Sequence, residues 1–176
     1  LFEPQTYLSA SFADLLKNPK VTFHAKGVGA ANGMMDLTTS DRDDSFSFSF
    51  TPEQAQARGR KQVKAPVVTL DEFLPTLVLP NPDLIKIDAE GWDLEVLKGA
   101  KHTISNSQIV LMEAAVMSKA FSNSVAKTTE AMAEIGFCLF DITDLNRTQK
   151  HNALWLVEMA FVKSGGALDS KVNGYT

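Results

Sequence analysis

A single cysteine, Cys138, stands among 176 residues, so no disulfide forms within the chain. That scarcity fits a reducing compartment, and the expected location is the cytoplasm. Histidine is also scarce: the three, at positions 24, 102 and 151, lack zinc-ligand spacing, and no metal is expected. Long apolar runs are missing. Residues 109–117 come nearest, but Glu113 interrupts them, well short of the roughly 18 uncharged residues that a membrane helix needs. No signal-peptide pattern is visible, and the sequence opens on Leu1. Positive charge is not in excess either. Seventeen Lys and Arg against 21 Asp and Glu leave a net charge of −4, which argues against a nucleic-acid binder, because backbone phosphates call for a basic face. The phosphate loop GxxxxGK[ST] and the nucleophile elbow GxSxG do not occur.

What is present is an ordinary globular composition, 44% hydrophobic and 22% charged. A chain of this length is expected to form one domain over residues 1–176 and to bury roughly 70% of its unfolded surface. Phe2-Glu3-Pro4 reads as a strand end broken by proline. Leu8, Phe12, Leu15 and Leu16 share a helical face over residues 6–18. Strands are expected at residues 21–24, 34–38, 67–70, 84–88, 109–116, 137–142 and 153–162, and helices at 71–78, 92–104 and 122–135. The alternation of strand and helix in the second half indicates parallel βαβ units, and the last two strands, joined without a helix, an antiparallel pair. Phe46, Phe48 and Phe50 alternate with serine, as in a strand burying three rings or an aromatic lid. Arg58, Arg60, Lys61 and Lys64 read as a solvated basic face.

Ligands of open α/β sheets bind beyond the carboxyl ends of the strands. That rule selects Glu3, Asp88, Glu90 and Glu113. Asp88 closes a strand, Glu90 follows two residues on, and Gly91 permits a tight turn into a helix. The alternative for Glu90 and Asp93 is a helix N-terminus, where acids are favoured by about 0.3–1 kcal/mol, and Asp88 could cap backbone donors. Glu113 interrupts an apolar strand, where an unpaired carboxylate is costly, so it needs a partner or a cleft. Three such acids can polarise a hydroxyl, act as a general base, or hold a divalent ion for hydrolysis. The glycines of residues 27–33 mimic a dinucleotide loop, but the following Met34-Met35-Asp36-Leu37-Thr38-Thr39 has poor helix propensity, so a turn between strands is expected there. Cys138, on an apolar strand, reads as core.

Residues 85–100, IKIDAEGWDLEVLKGA, resemble the signature I-K-I-D-V-E-G-x-E-x-x-V-L-x-G-A of the FkbM family of S-adenosylmethionine-dependent methyltransferases, with Ala89 for valine and Asp93 for glutamate. Phe2-Glu3-Pro4, Thr69-Leu70-Asp71 and Glu113 resemble further family features in the same order. The resemblance implies a Rossmann-like class I methyltransferase sheet, mostly parallel, with one antiparallel strand near the C-terminal edge. It implies that Glu3 binds the cofactor's ribose hydroxyls and that Val28 lies beside the adenine. Asp88 and Glu90, with Glu113, would face the transferred methyl and its acceptor, the hydroxyl of a sugar or secondary metabolite. Family members carry a strand and a glycine-rich loop before F-E-P, so the resemblance also implies an N-terminally incomplete sheet. The alternatives to an O-methyltransferase are then a truncated fragment without cofactor binding, a non-catalytic module of the same fold, or a carboxylate-metal hydrolase.

Overall fold

The computed structural model describes residues 1–39, 46–47, 56, 62–117 and 122–172. Among these residues eight strands form two four-stranded sheets. The first contains β1 (Gly27–Val28), β2 (Gly33–Thr39), β3 (Phe46–Ser47) and β4 (Gln62–Val68), in the order β1-β4-β2-β3. β1 runs parallel to β4, and β2 runs antiparallel to both β4 and β3. The second contains β5 (Leu84–Ile87), β6 (Ile109–Ala115), β7 (Phe137–Arg147) and β8 (Leu154–Lys163), in the order β5-β6-β8-β7. Here β5 and β6 are parallel, and β8 runs against both β6 and β7.

The mixed α/β class agrees with the sequence reading, and within the second sheet one strand, β8, is indeed reversed near the C-terminal edge. The expectation of a single, mostly parallel sheet is corrected: four of the six strand pairings are antiparallel. The reason lies partly in residues 62–66, which were not expected as a strand yet pair antiparallel with Met34–Thr38 of β2. Ala65 and Val67 of β4 are buried, and Ala65 packs with Leu37 in a small separate core. The basic residue of this strand, Lys64, forms an exposed ion pair with Asp36 at 3.3 Å. Arg58, Arg60, Lys61, Phe48 and Phe50 lie outside the described residues.

The main core belongs to the second sheet. Ile85, Ile87, Val110, Met112, Ala114, Val157, Met159 and Phe161 are buried on one face, beneath helices α2 (Asp93–Lys98), α3 (Lys101–Ser105) and α4 (Val125–Glu134), which contribute Val96, Leu97, Ile104 and Met132. In α4, Ser124 caps the first turn by accepting from the Lys127 backbone N–H, and Gly136 ends it at φ 83°. The helix expected over 71–78 is a single turn, α1 (Leu70–Phe73), followed by a 3-10 turn at Leu74–Thr76. A last short helix, α5, covers Asp169–Val172. The helix expected over 6–18 is instead two 3-10 segments, Thr6–Phe12 and Leu15–Lys17, neither with a side-chain cap.

The expected helix over 92–104 breaks into α2 and α3 at Gly99, for two reasons. Asp71 of α1 caps α3 from a distance: its carboxylate accepts from the backbone N–H groups of His102 and Thr103 and from the Thr103 hydroxyl, at 2.8–3.0 Å. Gly99 also touches the first sheet so closely that a Cβ there would sit 2.0 Å from the Gly29 carbonyl oxygen. No side chain fits where the two backbones meet. Gly99→Ala must therefore push α2 away from the loop after β1. A loss of about 1–3 kcal/mol in stability is expected, measured by denaturant unfolding; a variant as stable as the parent would contradict the contact.

Candidate functional site

A cleft of about 850 Å³ opens between residues 1–4 and β5. One wall is the chain's first segment, held by Phe2, which bridges His24 in parallel fashion. The Phe2, His24 and Phe73 rings pack at centroid distances of 4.9–5.4 Å and fix that wall. The other wall is β5 and the turn after it. Among the described strands β5 pairs only with β6, so its second edge faces the cleft. The lining is largely apolar, with Val28, Leu37, Leu70 and Ile85, and its carboxyl groups include Glu3, Asp88 and Glu90. Size and lining match a small-molecule site, which typically measures roughly 300–1,000 Å³.

Four of the five residues singled out in the sequence thus line one cleft: Glu3, Val28, Asp88 and Glu90. Glu3 is half-buried. Its carboxylate accepts from the Gln5 backbone N–H at 2.8 Å, and burial raises its pKa in spite of that bond. Asp88 is about half exposed, and Lys86 Nζ lies 3.7 Å from it. The same ammonium is 2.7 Å from Glu158, which also accepts from the Thr143 hydroxyl. Glu158 consequently has a lowered pKa and Lys86 a raised one.

Strand alternation does not set the direction of Glu90, because β5 ends at Ile87. Glu90 sits in the left-handed region at φ 49°, and Gly91 follows at φ 89°. A non-glycine residue there is uncommon and must be held by its surroundings. Part of that hold comes from Asp93, the first residue of α2, which is 0% exposed. Its carboxylate accepts from the backbone N–H groups of Gly91 at 3.1 Å and Ala89 at 3.4 Å. Burial pushes its pKa up to about 6 against the pull of those bonds. Asp93 is therefore a structural acid at a helix start, as one of the sequence alternatives had it, though fully buried. Asn123, which fell within the helix expected over 122–135 and carried no signal of its own in the sequence, donates to Asp93 at 3.0 Å. Its partner lies 30 residues away, and local pattern cannot reveal such a link.

Glu113 does not line the cleft. It stands in register with Glu158 on β8, on the face that also carries Lys86. Partial burial, then the negative charges of Asp88, Glu90 and Asp93, push its pKa up to about 7, with Lys86 opposing. Among the described residues no three His, Cys, Asp or Glu gather so as to hold a metal ion. No described helix is long and apolar enough to cross a membrane.

The fold is thus a mixed α/β arrangement with an acid-rimmed cleft at the carboxyl end of a strand. Residues 2–139 match the profile of the Methyltransferase FkbM domain, and the chain belongs to that family. Over 75 residues it is 31% identical to the hexuronic acid methyltransferase AglP of Haloferax volcanii, an overlap covering 39% of this chain and 31% of that protein. The chain thus spans about a third of the length of this curated relative. The crystal structure of methyltransferase FkbM from Methylobacillus flagellatus KT is similar at 16% identity and a TM-score of 0.49, over 88% of this chain and 32% of that one.

Glu113 binds its proton more tightly folded than unfolded. Its ionisation therefore costs nothing below pH 4.5, costs progressively more as pH rises from 4.5 towards 7, and is fully felt above. Glu113→Gln removes that cost. Thermal unfolding should show the variant gaining on the parent between pH 5 and pH 8; a pH-independent difference would contradict the raised pKa.

Proposed function

We propose that this chain binds S-adenosylmethionine in the cleft between Glu3 and β5 and supports methyl transfer to a sugar hydroxyl. The observation that carries the reading is the placement of Glu3 on one wall of the cleft and Asp88 and Glu90 on the other. The residues present fit the cofactor: apolar walls at Val28, Leu37 and Leu70 suit an adenine ring, and a half-buried carboxylate suits a pair of ribose hydroxyls. When bound, the cofactor supplies a methyl group on a positively charged sulfur.

The chain's own residues do the rest. Glu3 accepts hydrogen bonds from the ribose, and Val28 packs beside the purine. Asp88, exposed to the cleft and steadied by Lys86, would accept the proton that the acceptor hydroxyl gives up on methylation, the sulfur keeping the electron pair of the carbon–sulfur bond that breaks. Glu90, two residues on in the same turn, hydrogen-bonds the acceptor. Glu113 stands behind them, and its charge raises the negative potential at the rim; a more negative site favours a cationic cofactor and a departing proton. Alignment of the acceptor is the larger part of such catalysis. A carbohydrate acceptor is favoured because a relative in the same family is a hexuronic acid methyltransferase.

The assay is transfer of a labelled methyl group from S-adenosylmethionine to uronic-acid glycosides. Asp88→Asn is expected to lower turnover by about a hundredfold or more, the usual contribution of a general base, with little change in the apparent KM for the cofactor. An Asp88→Asn protein with full turnover would exclude Asp88 as the base.

A further inference from the structure

The turn that carries Asp88 and Glu90 does not hold itself. Glu90 occupies a left-handed backbone conformation, which a side-chain-bearing residue keeps only when the surroundings over-determine it. Asp93 supplies part of that constraint through Ala89 and Gly91. Asp93 itself is buried, and a buried carboxylate needs donors that hold it in one orientation.

Among the described residues the side-chain donor is Asn123. It is 2% exposed. Its amide nitrogen has two hydrogens, and both have acceptors: Asp93 Oδ2 at 3.0 Å and the Glu113 carbonyl oxygen at 3.1 Å. Its own backbone carbonyl accepts from the Ala115 N–H at 2.9 Å. The adjacent Ser122 hydroxyl reaches the Gly91 carbonyl at 3.4 Å. One side chain therefore ties the turn after β5 to the end of β6 and to the start of α4. Aspartate has no such pair of hydrogens, and serine has only one.

We propose that Asn123 is a positioning residue, setting through Asp93 the geometry of the Asp88–Glu90 turn at the cleft. This rests on the methyl-transfer reading of the cleft for its catalytic consequence, but not for its structural readout. Asn123→Ala is the first test. Hydrogen exchange of the Ala89 and Gly91 amides should quicken by about tenfold, while the β7–β8 amides keep their protection. The Asp93 carboxyl, followed by NMR, should titrate above its value of about 6, having lost a donor to its charged form. Methyl transfer should fall by about a hundredfold in turnover, with S-adenosylhomocysteine affinity nearly unchanged. Asn123→Ser keeps one donor and should show the same changes at smaller amplitude, which secures the test if the alanine variant does not fold. Parental exchange at Ala89 and Gly91 and a parental Asp93 titration would overturn the proposal. So would uniform loss of protection in both variants, β7–β8 included, which would mark Asn123 as a general core residue. Absence of methyl transfer in the parent protein would instead refute the reading of the cleft, leaving exchange and titration to decide the role of Asn123.

Discussion

The candidate site depends on one buried carboxylate. Asp93 has no solvent exposure and lies at the junction of β5, its following turn and α2. Removing a carboxylate from water is costly unless donors replace the water. Here two backbone N–H groups and one side-chain amide do so. The same bonds fold the turn back on itself and leave Glu90 in a conformation it would not adopt alone. The raised pKa of Asp93 shows that the compensation is partial, burial outweighing the bonds.

Around that anchor the electrostatics divide into two groups. Lys86 satisfies Glu158 and lies near Asp88, on the exposed side of the sheet. Glu113 lacks so close a cation, feels three neighbouring acids, and its proton is held to about pH 7. Its charge changes within the neutral range although it is not part of the cleft lining. The opposite wall carries Glu3, Gln5 and Lys26 among apolar residues, and the ring cluster of Phe2, His24 and Phe73 holds Glu3 in place. A cleft with a carboxylate on each side and a hydrophobic floor is suited to a ligand that is both aromatic and polar.

Much of this was legible in the residues. Residues 84–88 alternate and end in an acid, so β5 and its turn could be placed from pattern alone. The C-terminal hairpin was legible because two apolar runs are separated by a mostly polar segment with no helical pattern; it forms as β7 and β8, with β7 extending five residues beyond the expected Ile142. The break between α2 and α3 was not legible, because its causes are distant: Asp71 caps α3 from 32 residues away, and Gly29 crowds Gly99 from the other sheet. β4 was missed over residues 62–66 because the alternation of Gln62 and Lys64 with Val63 and Ala65 is short, runs into Pro66 and leaves Val63 exposed. Of the residues that line the cleft, Glu3, Asp88 and Glu90 were singled out in the sequence because they stand at or just past strand ends, and Val28 because the family resemblance implies it. Asn123 was not, because a long-range hydrogen bond leaves no trace in local sequence.

The central claim is that the cleft between Glu3 and β5 holds S-adenosylmethionine. Calorimetric titration of S-adenosylhomocysteine into the protein and into Glu3→Gln tests it most directly. The account predicts saturable binding at one site, weakened about tenfold or more when the carboxylate that accepts from the ribose becomes an amide. Absence of binding by the parent, or equal affinity of parent and variant, would contradict it.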